Sequence, residues 1–219
     1  MSLFPTMSPH VLAPGAVAFA GTASSTSNIS TYTFSGVAIG TASSDRKVVV
    51  FTSSDGYTTS DTLTSITVGG ATASLVASGE NFATNSSYIY QIDVSSGTTA
   101  DIIVTWSGTQ GVCSVITWAV TGCGASAHDT GKDSQSSPDA DTIDIPADGV
   151  CVGGAHSNTS GSFTWVGLTE RVDEPAPDGD WKHSGASDAF ATVTSGRTIS
   201  SQPSAGSQHG MVCASWGPG

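Results

Sequence analysis

The chain has 219 residues and a formal net charge of −12, because 18 acidic residues stand against only 6 lysines and arginines. A chain of this length can bury a hydrophobic core without help from disulfides or metals. Six scattered cations cannot form the basic face that phosphate contacts require, and an anionic lipid surface would repel the excess carboxylates. The composition therefore argues against nucleic acid and membranes as partners.

Few residues are charged, and serine, threonine and 26 glycines make up the balance. Glycine and β-branched threonine disfavour helices, and serine competes for backbone hydrogen bonds. The same residues suit strands joined by tight turns. We therefore expect an all-β chain with negligible helix.

Apolar and polar residues alternate with a period of two along most of the chain, which is the pattern of half-buried strands. In chain order, it predicts strands at residues 31–35, 47–52, 65–69, 87–94, 101–106, 112–120, 142–145, 150–155, 162–166, 188–193 and 211–216. Asp55-Gly and Asp178-Gly are among the turns between them. Because no helical crossover intervenes, we expect an antiparallel, jelly-roll-like β-sandwich.

The first residues are rich in proline and small side chains, which predicts an extended N-terminal arm (1–25) ahead of a single sandwich domain (26–219). The start of the chain lacks the basic residues of a signal peptide. We therefore expect the four cysteines to be free thiols buried in strands, with one disulfide left open as an alternative.

A weak internal echo relates residues 45–123 to residues 148–217. Trp118 and Trp216 stand at equivalent places in it, and similar strand sequences precede them at nearly the same offset. The echo predicts two related halves. The polar segment 122–141 would join them as a crossover loop, or alternatively as a domain linker; chance similarity between alternating strands is the other explanation of the echo.

No nucleophile elbow, metal-binding motif or nucleotide-binding loop is present in the sequence. The adjacent pair His128 and Asp129 lies in a polar segment and is an unsuitable start for a catalytic triad. We expect the histidines to be exposed loop residues, and we predict no enzyme activity, no cofactor and no metal site. The acidic stretch 170–180 is interpreted as surface charge, with a calcium-binding loop as the alternative.

Trp118, Trp165 and Trp216 lie in apolar strands and are predicted to be core residues. Trp181 stands instead in an acidic, proline-rich stretch, where it suits contact with a partner or a glycan. With Asp178, Asp180 and Tyr57 it forms the predicted binding set, on loops 57–61 and 173–183.

Four runs carry a recurrent pattern of strands and turns: Asp45-Arg-Lys-Val-Val-Val-Phe, Ser65-Ile-Thr-Val-Gly-Gly-Ala-Thr-Ala-Ser-Leu-Val, Tyr88-Ile-Tyr-Gln and Asp101-Ile-Ile-Val-Thr-Trp-Ser-Gly. Over residues 31–124 this pattern resembles β-sandwich virion structural proteins of tailed bacteriophages, which include head-decorating, fibre and tail-associated proteins. No single diagnostic motif is part of the pattern, so no functional residues are carried over from it.

The resemblance implies a protein of the virion that decorates or cements the capsid exterior. Its expected partners are the major capsid protein or a tail or fibre scaffold, and it would act as a homo-oligomer. Leu3, Phe4 and Pro5 of the arm would then dock on the scaffold. The alternative is a receptor- or glycan-binding module of a fibre, spike or tail. A hydrolase of surface polysaccharide is disfavoured because the sequence shows no catalytic constellation.

Overall fold

The computed structural model describes residues 13–56, 61–79, 84–159, 161–206 and 208–219. These residues form sixteen β-strands in antiparallel sheets. The prediction of an all-β antiparallel sandwich is confirmed, whereas the sheets do not establish a jelly roll specifically. Among the described residues there is no helix of the length and apolar character needed to cross a membrane.

The first half of the chain forms two layers. Its strands are β1 (Ala16–Ser25), β2 (Ile29–Ala38), β3 (Lys47–Gly56), β4 (Leu63–Val68), β5 (Ala71–Thr72), β6 (Ser74–Ser78), β7 (Asn85–Asp93) and β8 (Thr99–Thr121). The start of β8 pairs with β2 and β4, and its end pairs with β1 and β3. This long strand therefore passes from an outer layer, β2-β8-β4-β5, to an inner layer, β6-β7-β3-β8-β1.

The second half repeats this arrangement. Its strands are β9 (Asp129–Ser134), β10 (Asp139–Ile145), β11 (Gly149–Ser157), β12 (Phe163–Val166), β13 (Glu170–Pro175), β14 (Lys182–Phe190), β15 (Thr194–Pro203) and β16 (His209–Trp216). The inner sheet has the order β13-β14-β11-β16-β9, and the outer sheet has the order β10-β15-β12. The strands of the second half follow the same order as those of the first, from β9 as the counterpart of β1 to β14 as the counterpart of β7. Two differences are that nothing corresponds to β5 and that β15 and β16 together replace the single strand β8.

The two inner sheets stack face to face, so the described residues form four layers with three large apolar cores between them and one small cluster around Trp181. The run 48–51 shows how one strand serves two of them. Val48 and Val50 belong to the core of the first half, while Val49 and Phe51 belong to the central core between the halves. A strand buried on both faces needs a continuous apolar run instead of alternation.

Trp118 and Trp216 occupy matching positions in the two inner sheets. Trp118 pairs with Val49 in the first half, and Trp216 pairs with Val150 in the second. All four side chains lie in the central core. The halves therefore stack through equivalent faces, and the strands that resemble one another in sequence are also topological counterparts.

The structure differs from the predicted boundaries in three places. Residues 16–25 of the predicted arm form β1, because Val17 and Phe19 pack against the central core. The predicted crossover loop 122–141 contains β9 and the start of β10. Each half builds a two-layer sandwich of its own instead of contributing strands to a single one. Leu3, Phe4 and Pro5 lie outside the described residues.

The polar sequence of β9 has a structural reason. Its aspartates accept hydrogen bonds from backbone amides: Asp133 from Ala140, and Asp129 from Asp144. These contacts hold an edge strand that lacks apolar alternation. Of the cysteines, Cys113, Cys151 and Cys213 are buried in strands as predicted, and Cys123 is half-buried.

Candidate functional site

The contact between the inner sheets is polar at one end. Residues two apart on a strand share a face, so Ser53 and Asp55 continue the face of Phe51 on β3. In the same way His156 continues the face of Val152 on β11. The ends of these two strands therefore bring polar side chains of both halves to one end of the molecule, which we call the polar end.

Two histidines lie at the polar end, directly opposite each other on neighbouring strands. His156 of β11 pairs with His183 of β14, and each is only 1% exposed. The His156 ring stacks on Trp181 with centroids 5.1 Å apart and planes 8° from parallel. His183 Nε2 lies 2.9 Å from Thr22 Oγ1 of β1, a contact between the two halves.

Burial keeps both imidazoles neutral. Desolvation is the main cause of a lowered pKa at both, to about 3 for His156 and to about 4 for His183. The charge of His209 adds to the shift at His156, and that of Lys182 adds to the shift at His183. Neither histidine has the pKa of a general base that works at neutral pH.

Several buried polar atoms at the polar end have no hydrogen-bond partner among the described residues. They are Asn85 Oδ1, Ser87 Oγ, His156 Nδ1, Trp181 Nε1 and His183 Nδ1. Native proteins pair nearly all buried polar atoms with protein groups or ordered water. A water that accepts and donates suits this mixture of donors and acceptors. Ser53 and Ser114 beside them already satisfy each other at 2.7 Å.

Trp181 is not the surface contact residue predicted from the sequence. It is 1% exposed and packs with Val112, Ala176 and the His156 ring. The backbone explains its position, because Ala176 N donates to Trp181 O at 2.7 Å and closes the turn between β13 and β14. That bond holds Trp181 at the start of β14, under the turn.

Asp178 and Asp180 are exposed in this turn, and Asp180 N donates to Asp178 Oδ1 at 3.2 Å. The turn lies beside the end of β3. Burial raises the pKa of Asp55 on β3, and the negative charge of Asp178 raises it further, against the hydrogen bond from Thr84. Two of the predicted binding residues therefore lie at the polar end, while Tyr57 lies outside the described residues.

The histidines differ from the prediction of exposed loop residues. His128 is exposed, but His156, His183 and His209 are buried in strands. His209 Nδ1 lies 2.6 Å from Asp139 Oδ2. Desolvation raises the pKa of Asp139 to about 6, although the hydrogen bond to His209 acts in the opposite direction.

A separate open groove of about 590 Å³ runs along the edges of the inner sheets, between β6 and the segment that leads into β9. His128 and Asp129 line it. Asp129 is already engaged, because its carboxylate accepts hydrogen bonds from the amides of Thr130 and Asp144. The groove thus brings no second group to His128 that would act with it chemically.

Within the described part of the chain, no group of three or more histidine, cysteine or acidic residues is arranged to hold a metal ion. Comparison with protein-family models and with curated proteins found no match.

Proposed function

We propose that the chain is a structural protein of a tailed-phage virion that decorates or cements the capsid exterior through contacts with other virion proteins. The observation that carries the proposal is the central core, which joins two sandwiches into one four-layer body. Such a body offers a large fixed surface for contacts between subunits. The resemblance of residues 31–124 to virion structural proteins supports the same role.

The proposed docking segment is residues 1–12, the part of the predicted arm (1–25) that precedes the described residues. Gly15 N donates to Asp148 O at 2.7 Å, just before β11 begins. His156 lies near the other end of β11. The segment that contains Leu3, Phe4 and Pro5 is therefore joined to the described residues at the end opposite His156.

The experiment is binding of the purified chain to capsids of the source phage. Deletion of residues 1–12 should abolish copurification with heads while leaving the thermal unfolding temperature unchanged, because β1 begins only at Ala16. A matched variant, Leu3→Ser with Phe4→Ser, should weaken binding in the same direction. Particles that lack the chain altogether, or a shortened chain that still binds fully, would contradict the proposal.

Recognition of a receptor or glycan is a second candidate, and it is favoured by one observation. Asp178 and Asp180 are exposed on a turn that lies beside the end of β3. In a glycan-array experiment, Asp178→Ala with Asp180→Ala should remove binding while preserving stability. Trp181→Ala is unsuitable as the probe, because loss of a buried tryptophan costs about 3–5 kcal/mol of stability. The absence of binding to every glycan would count against this candidate.

A further inference from the structure

The contact between the halves differs in character along its length. Away from the polar end, Trp118 and Trp216 fill the central core, and Trp216 Nε1 donates to Gln91 Oε1 of the other half at 2.7 Å. At the polar end, the hydrogen bonds between the halves are Thr22 with His183 and Asn85 with Gln208, the latter at 3.2 Å. Unpartnered polar atoms surround them. One end is therefore packed as a continuous core, whereas the other combines polar groups with one small apolar contact, that of Trp181 and Ala176 with Val112.

The two histidines have no carboxylate within ion-pair distance among the described residues. His209 is the one buried histidine that has such a partner, in Asp139. Lys182 is next to His183 in sequence and is paired with Asp173 at 3.3 Å. A proton added to His183 would thus be placed near Lys182, and one added to His156 would be placed near His209 and beside Trp181, whose Nε1 already lacks an acceptor.

Of the remaining charged groups on the neighbouring elements, Asp178 and Glu174 are exposed, whereas Asp55 is half-buried and accepts a hydrogen bond from Thr84. Asp55 is on β3, Asp178 is in the turn before β14, and Glu174 of β13 is the cross-strand partner of His183 and is exposed. From β1 the neighbour is the uncharged Thr22. Among the described residues none of these carboxylates forms an ion pair with His183, so a charged His183 in the closed contact lacks a counter-charge.

We propose that acid opens the polar end of the contact between the two inner sheets, exposing Trp181, while the Trp118 and Trp216 end stays closed. His156 and His183 are the trigger, since their charged forms are stable only when they are hydrated. Separation at the polar end hydrates both rings and breaks the contact of Trp181 with Val112 of the other half. The contact between the halves thus has two forms, closed and open at the polar end. Protonation of His156 and His183 shifts the equilibrium towards the open form.

The test follows acidification of the intact chain by three signals: tryptophan fluorescence with acrylamide quenching, far-ultraviolet circular dichroism, and proton NMR of the histidine rings. We expect quenching to increase at about pH 4 to 5, before the strand signal is lost. Trp181→Phe should remove this early increase. The ring signals of His156 and His183 should stay at their neutral positions down to the same step and titrate with it.

The trigger is tested by His156→Gln with His183→Gln, which cannot be protonated. This variant should move the early step to lower pH by about one unit or more. His128→Gln, at an exposed histidine, is the matched control and should leave the step unchanged. If the double variant does not fold, the NMR titration of the unmodified chain decides. Free titration of both rings near pH 6.5, loss of all signals in one step, or an equal shift in the control would overturn the proposal.

Discussion

At the scale of single residues, the least expected feature is a buried cation that has no carboxylate partner among the described residues. Arg46 is fully buried, and its guanidinium donates to four backbone carbonyls, those of Gly40, Val94, Ser96 and Gly97. Four donors in a planar fork match these acceptors in a way that an ammonium group cannot. Arg46 therefore ties together the segments that follow β2 and β7.

Replacement of Arg46 tests this role. Arg46→Lys keeps the charge but loses the fork, so it should lower the free energy of unfolding by about 3 kcal/mol, because hydrogen bonds to charged groups contribute about 1.5–3 kcal/mol each. Urea unfolding measures the change. Arg171→Lys is the control, since that side chain is partly exposed and its loss should be small. Equal losses at the two sites would show that the fork is unimportant.

The buried histidines predict the pH dependence of stability. Their pKa is about 3 and about 4 in the folded chain against an ordinary 6.5, so between pH 6.5 and 4 the unfolded chain binds protons that the folded chain does not. The free energy of unfolding should therefore fall as the pH is lowered through this window. Denaturant unfolding at several pH values should show a flatter dependence for His156→Gln. A dependence as steep as that of the unmodified chain would contradict the assignment.

Asp139 affects the pH dependence of stability in the direction opposite to that of the two histidines. Burial raises its pKa from 3.8 to about 6, so it contributes stability at low pH that is lost as the pH rises through this interval. Asp139→Asn removes this opposing contribution. The same unfolding series should then show a steeper fall in stability on acidification from pH 6 to 4. A flatter curve would mean that the carboxyl group is ionised throughout.

At the scale of elements, the predicted arm (1–25) includes a strand, β1, although its composition is similar throughout. Residues 16–25 form the edge strand of the inner sheet, and Thr22 contacts His183 across the two halves. The many alanine, glycine and serine residues of β1 give no strand pattern in the sequence. Only Val17 and Phe19 of this strand pack against the central core, so the strand forms without an alternating apolar run. An edge strand made of small residues therefore has the same composition as an extended arm, and composition alone does not distinguish the two.

Two truncations distinguish the arm from the strand. Deletion of residues 1–25 should leave an insoluble or strongly destabilised chain, because it removes β1 and exposes the edge of β8. Deletion of residues 1–12 should leave the thermal unfolding temperature within about 2 °C of the full chain, since every described strand begins at Ala16 or later and stays intact. Thermal unfolding followed by circular dichroism is the measurement. Similar stability of the two shortened chains would contradict the role of β1.

Strands with alternating or continuous apolar runs could be predicted from sequence, and strands built from small residues could not. The apolar runs of β3, β11 and β16 are recognisable because these strands are buried on both faces. β14 was predicted only from residue 188 onwards, because it begins with Lys182 and His183 and continues through Gly185. A Cβ on Gly185 would lie 2.8 Å from Trp118 Cζ2, so close approach of the sheets requires a residue that carries no strand signal.

The candidate site was only partly predictable for the same reason. The sequence around Asp178 and Asp180 predicts an exposed turn. A turn between two strands lies at the end of its sheet, so these residues lie at one end of the molecule. His156 and His183 sit in strands where burial depends on the second sheet, which no local pattern reveals. The acidic neighbours of Trp181 in sequence predict a surface position. Its neighbours in space are Val112, Ala176 and His156, which bury it.

At the scale of the whole molecule, two equivalent sandwiches stack through their inner sheets. Phe51 of the first half lies against Gly154 of the second, and a Cβ at position 154 would collide with the Phe51 ring. No other residue type fits at that point of closest approach without displacing the ring. This pair therefore reports directly on the contact between the halves.

A double-mutant cycle on this pair tests the claim most directly. Gly154→Ala should lower the free energy of unfolding by about 1–3 kcal/mol, because it overpacks the central core. In the Phe51→Ala background that loss should disappear, giving a coupling of similar size. Gly153→Ala is the matched control: its Cβ would meet Trp165 at 2.9 Å on the opposite face, so Phe51→Ala should leave its effect unchanged. If Gly154→Ala costs the same in both backgrounds, the two sheets do not pack against each other as described.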